Sequence, residues 1–157
     1  MPALPQMVSL RCGTVIFALP IESVREIVMV PEITPVPETG PFVRGIINLR
    51  GRILPVLDLG MRLGLGRGPS HPDGRILVVE PHGEPPLGLL VDDASEVLRV
   101  PADSLAPPPE LAAGGSSGAV RSVARLADRM LLVLDLDRVL ADHTTPLVAP
   151  SLEPLAQ

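Results

Sequence analysis

Residues 48–51 read Asn-Leu-Arg-Gly, which sets an amide, a guanidinium and a glycine within one short stretch. Arg donates through a planar fork that fits a carboxylate or backbone carbonyls, so the chemistry offered here is recognition rather than bond making. Gly51 suits a two-residue hairpin turn that needs φ > 0. Asn48 and Arg50 lie two apart and are expected on one face of a strand. Two readings of that face stand: a solvated rim, or contact with a partner's carboxylate or carbonyl groups.

The other reactive side chains form no constellation. Asp58 and Asp135 each precede an amphipathic turn, Leu59, Arg62 and Leu63 in one case and Leu136, Val139 and Leu140 in the other. They can be read as an acid/base pair or as two helix N-caps, each worth about 1 kcal/mol. Recurrence of the Asp together with its whole strand favours the cap. Asp92 and Asp93 read as residues that shape the chain after a buried strand. His71, His82 and His143 sit in Gly/Pro/polar segments and read as solvated loop residues. Neither H-x-x-x-H nor C-x-x-C spacing occurs, so no metal site is expected. "GLGRG" (64–68) follows a helical turn and opens onto Pro69, the wrong context for a phosphate loop. Cys12 is the single cysteine and reads as a buried, inert thiol. The expectation is a non-enzyme without catalytic residues, metal or cofactor.

Composition narrows the class further. The 157 residues are 46% hydrophobic and contain no Trp, no Tyr and only Phe17 and Phe42, so the core must be Val, Ile and Leu. A net charge of -5, with every basic residue an Arg, gives no footprint for nucleic acid, and base-stacking aromatics are missing. No apolar run reaches the length of a membrane span and no leader pattern opens the chain, so a cytoplasmic protein is expected, with no direct membrane insertion.

The elements that would carry these residues come in two copies. "FVRGIINLRGRILPVLDLGMRL" (42–63) overlays "AVRSVARLADRMLLVLDLDRVL" (119–140) at an offset of 77, with identity at Val43, Arg44, Leu49, Arg52, Leu54, Val56, Leu57, Asp58, Leu59 and Leu63. Upstream, "LPIESVREIVMVP" (19–31) overlays "LLVDDASEVLRVP" (89–101) at an offset of 70. Strands are expected at 7–12, 14–20, 25–30, 75–80, 86–92 and 95–100, besides the two strands of each repeated hairpin. A single helical turn fits 21–24, an extended loop 31–41 and a low-complexity loop 101–118. Residues 1–6 and 143–157 read as frayed termini. One repeat of about 70 residues would have a marginal core. Two halves folding as a unit are therefore expected, the first over about 7–63 and the second over about 75–140. The copies agree in apolar ladder and cap and differ at the tip, where Asn48, Arg50 and Gly51 become Arg125, Ala127 and Asp128.

"ALPIESVREIVMVPEITPVPETGPFVRGIINLRGRILPVLDLGMRLGL", "LGLLVDDASEVLRVP" and "VRSVARLADRMLLVLDLDRVL" together resemble the CheW-type adaptor domain of bacterial chemosensory systems, over about 7–141. "NLRGRILPVLDL" is the most specific segment. The resemblance implies an all-β fold with short helical turns: two intertwined five-stranded SH3-like barrels in one domain, without catalysis. It implies an adaptor that couples the cytoplasmic tips of methyl-accepting chemoreceptors to a CheA-type histidine kinase, whose regulatory domain docks barrel to barrel. Recruitment to membrane-bound receptor arrays would follow. The same domain also serves non-flagellar pathways such as pilus motility, biofilm or second-messenger control. By resemblance, receptor binding falls on Val24, Glu26, Gly45 and Arg50, with Asn48 beside them; kinase docking is not assigned to residues. The chain departs from the pattern in lacking the usual aromatics in its first strands and in carrying Ser122 where Gly is common.

Overall fold

A computed structural model describes residues 5–69, 73–108 and 118–141. His71, His143, residues 109–117 of the low-complexity loop and most of both expected frayed ends lie outside them. The described chain runs β1 (Gln6–Cys12), β2 (Val15–Pro20), a 3-10 turn (Ile21–Ser23), β3 (Val24–Met29), β4 (Val43–Leu49), β5 (Arg52–Asp58) and α1 (Leu59–Arg62). It then repeats with β6 (Arg75–Val79), β7 (Leu87–Val91), β8 (Asp93–Arg99), a 3-10 turn (Ala102–Ser104), β9 (Leu105–Ala106), β10 (Val120–Arg125), β11 (Met130–Leu134) and α2 (Leu136–Ala141). Order begins earlier than expected, since Gln6 belongs to β1 and the Pro5 carbonyl accepts from the Val100 N–H at 2.8 Å.

The halves are intertwined. One sheet has the order β8-β1-β2-β11-β10-β9 and the other β3-β6-β7-β5-β4. Each therefore takes the first two strands of one repeat and the remaining strands of the other, four in the first sheet and three in the second. The joints are parallel: β2 against β11, and β5 against β7. The first sheet gains a sixth strand because Leu105 and Ala106 pair with Ala124 and Val123 along the edge of β10. In the other sheet this place is held by a lone bridge, with Thr34 and Ile46 exchanging both backbone hydrogen bonds at 2.9 Å. Bulges recur as well. Register shifts at Arg25 and Arg44 in the first repeat have counterparts at Ser95 and Arg121 in the second.

Central strands such as β6 and β7 are buried on both faces, which is why they read as continuous aliphatic runs rather than strict alternation. On β6, Ile76 and Val78 point into a small core with Ile47, Leu54, Val56 and Leu90, while Leu77 and Val79 point into a larger one. That larger core lies between the sheets and gathers Val8, Leu10, Phe17 and Leu19 with Leu57, Leu89, Leu134 and the helical Leu59, Leu136 and Val139. A third cluster of Met7, Ala18, Val100, Ala124, Leu131 and Val133 fills the outer side of the six-stranded sheet. Truncating a fully buried Leu at the shared core, such as Leu77 or Leu89, costs about 2–5 kcal/mol. The repeats are also tied through their helices, where Arg62 Nε donates to the Val139 carbonyl at 2.6 Å.

Candidate functional site

β4 and β5 form an antiparallel hairpin whose last pair is Leu49 with Arg52, leaving Arg50 and Gly51 as the two turn residues. Both have positive φ, 53° and 87°, the primed turn that matches strand twist. An Arg in that conformation costs about 1 kcal/mol that a glycine would not. It is held from two sides. Asn48 Oδ1 accepts from the Gly51 N–H at 2.8 Å, and the Arg50 guanidinium donates to the Glu26 carboxylate. Asn48 and Arg50 thus do not share a strand face, as their spacing alone implied: Arg50 belongs to the turn, and the Asn48 side chain braces it.

Glu26 comes from β3, the opposite edge of the same sheet, and follows the bulge at Arg25. Its pairing with Arg50 joins the two edges at the sheet's open mouth. The hydrogen bond from Arg50 holds the Glu26 carboxyl below its usual range, its charge adds to this, and Arg25 and Arg52 contribute. The same bond raises the Arg50 guanidinium. A carboxylate lowered in this way supports the folded arrangement above its ordinary titration range, and that support fades as pH falls through the lowered value. Below the pair lies a cleft of about 260 Å³ with Leu49, Leu54 and Val78 in its wall and Arg25, Glu26, Arg50 and Arg52 around it. Arg25 pairs outward with Glu80 at 3.2 Å.

The remaining sequence candidates take other places. Gly45 is buried, with φ 143°, and a Cβ there would stand 2.2 Å from the Thr34 carbonyl oxygen. Val24 is half-buried and packs on the shared core. Gly45 and Val24 therefore position the loop and strand around the cleft without facing solvent as Arg50 does. Asp58 accepts from the Met61 N–H through Oδ1 (3.1 Å), and from the Gly68 N–H (2.9 Å) and Arg44 Nη1 (2.8 Å) through Oδ2. It caps α1 and is also one half of a buried ion pair. Among the described residues Asp135 accepts through its side chain only from the Arg138 N–H, at 3.2 Å. Cys12 is buried, and burial followed by the Asp92 charge pushes its thiol up to about 12. His82 is exposed in a turn. Among the described residues no three His, Cys, Asp or Glu side chains gather as metal ligands, and no helix is long and apolar enough to cross a membrane.

The second repeat builds a related but different mouth. Glu96 on β8 pairs with Arg129, the counterpart of Arg52, at 3.2 Å. Its hairpin turn is Ala127–Asp128 with ordinary negative φ, closed by Leu126 and Arg129 bonding to each other. Its cleft is smaller, about 130 Å³. The spacing-based reading missed Arg25 and Arg52 at the first mouth. It could have found Arg52 from the repeat itself, which conserves that Arg between the copies while changing the turn beside it.

Residues 6–144 match the family model described as CheW-like domain. The chain is 30% identical to "Chemotaxis protein CheW" of Klebsiella aerogenes, over 84% of its length and 79% of that protein's. It is 35% identical to "Protein PilI" of Pseudomonas aeruginosa, over 67% of this chain and 60% of that one. Its fold is similar to the crystal structure of scaffolding protein TtCheW from Thermoanaerobacter tengcongensis, with a TM-score of 0.78, 35% identity and coverage of 89% and 90% of the two chains.

Proposed function

The chain belongs to the CheW-like domain family, and from that membership we propose that it is a non-catalytic adaptor coupling the cytoplasmic tips of methyl-accepting chemoreceptors to a CheA-type histidine kinase. It works in the cytoplasm and is recruited to membrane-bound receptor arrays. One observation carries this reading: two repeats share a scaffold, and among the described residues the first alone has an Arg in its hairpin turn, paired with Glu26 beside the Asn48-braced turn and above a cleft with Leu49, Leu54 and Val78 in its wall. A receptor tip is a helical bundle, and such a cleft with a charged rim suits helix-in-groove recognition. Glu26 and Arg50 make the receptor contact in this reading, while Val24, Gly45 and Asn48 hold the surface in shape.

Co-sedimentation with purified receptor signalling domains tests it. Arg50→Ala should weaken binding roughly tenfold while the melting temperature stays put. Unchanged binding would remove Arg50 from the contact. A second reading, a scaffold of a non-flagellar pathway serving pilus motility, biofilm or second-messenger control, is favoured by the likeness to the PilI protein. Capture from native lysate separates the two by the receptor and kinase that come along.

A further inference from the structure

The two mouths of the molecule solve one electrostatic problem differently. In the second repeat Glu96 is neutralised by Arg129, whose side chain shares a face with Leu131 and Val133. The same position in the first repeat is Arg52, which shares a face with Leu54 and Val56 and lies across from Glu26. Here, however, the turn residue Arg50 has taken the carboxylate. Arg25 is engaged by Glu80. Arg52 is exposed and has no hydrogen-bond or ion-pair partner among the described residues. The left-handed turn therefore has a consequence beyond its own shape, since it releases a cation that the scaffold otherwise neutralises.

Counting the rim makes the imbalance plain. Three guanidiniums (Arg25, Arg50, Arg52) meet two carboxylates (Glu26, Glu80), and the surplus positive charge sits on Arg52 beside the apolar wall of Leu49, Leu54 and Val78. A surface with one unmatched cation next to an apolar recess complements an apolar side chain accompanied by a carboxylate. On a helix, that pairing requires an Asp or Glu three or four residues from the apolar anchor.

We propose that Arg52 is a specificity-determining residue of the docking cleft, which selects a partner helix carrying a carboxylate one turn from the apolar side chain seated against Leu49, Leu54 and Val78. This rests on the adaptor reading above and names what the receptor helix must offer. Arg50 and Glu26 form the fixed part of the rim, and Arg52 reads charge.

The test uses the full chain and a purified receptor signalling fragment from the same genome, with binding measured at low and high salt. Arg52→Lys should bind within about twofold of the parent, Arg52→Gln about tenfold more weakly, and Arg52→Glu more weakly still. The Arg52→Gln loss should shrink as salt rises, since screening removes what an exposed charge contributes. Replacing the receptor's matching acid with Arg should restore binding to Arg52→Glu, a rescue that mere loss of structure would not allow. Arg129→Glu, at the other mouth, serves as control and should leave receptor binding unchanged. Arg52→Glu binding as tightly as the parent at low salt would overturn the assignment while leaving the adaptor reading intact. A loss confined to binding of the kinase regulatory domain would overturn it too. If the parent chain binds no receptor fragment, the adaptor reading falls, and this one with it.

Discussion

Asp58 and Asp135 hold the same place in the two repeats, each beginning a short helix, yet they differ in what surrounds them. Asp135 gives one backbone hydrogen bond its acceptor, and Asp135→Ala should cost about 1 kcal/mol. Asp58 is fully buried against Arg44, whose side chain is only 9% exposed and also donates to the Pro69 carbonyl. Asp58→Ala strands that guanidinium, and the expected loss is about 3–5 kcal/mol. Chemical denaturation of the two variants checks the contrast, and equal losses would show that the buried pair contributes nothing beyond the cap. Identity at Arg44/Arg121 and at Asp58/Asp135 gave no hint of it. The environment comes from residues 64–69, which close over the first copy and bring the Gly68 N–H to Asp58.

The β4–β5 hairpin is the element that turns scaffold into site. A two-residue turn was legible from Gly51, which suits φ > 0; Arg50 as its other residue was not, since spacing alone set it on a strand face. Nor was the role of Gly45. The resemblance places it with the receptor contacts, and the structure sets it beneath the Thr34 backbone where no side chain fits. Ser122 stands at the matching place in β10 with ordinary φ, so the two edges are covered by different means. Gly45→Ala should therefore act through the fold. Strain at that φ together with the clash against Thr34 predicts a loss of about 3 kcal/mol. Receptor binding should fall in proportion to the unfolded fraction and recover on cooling. Lost binding at an unchanged melting temperature would instead make Gly45 part of the contact surface.

Across the whole molecule, exchange of strands between repeats makes either half incomplete alone. Each sheet needs both, and the largest core draws on both sheets and both helices. Unfolding should then be a single cooperative transition. Hydrogen-exchange protection of β1, β2, β6 and β7 should collapse together, with calorimetric and van't Hoff enthalpies agreeing. Two separable transitions, one per repeat, would contradict the shared core.

What the amino-acid sequence settled by itself is whatever depends on neighbours along the chain. The doubled aliphatic ladder, the primed turn and the helix starts are written in spacings of two to four residues, where backbone geometry leaves few options. Tertiary structure decided the rest: which strands of each repeat lie side by side, that Glu26 meets Arg50, and that Arg52 is left over. Backbone hydrogen bonds are blind to side-chain identity, so the aliphatic strands could pair within a repeat or between repeats equally well until the shared core selects one arrangement. Only that choice brings β3 opposite the mouth of the hairpin, and only there do charges 24 residues apart in the chain come together.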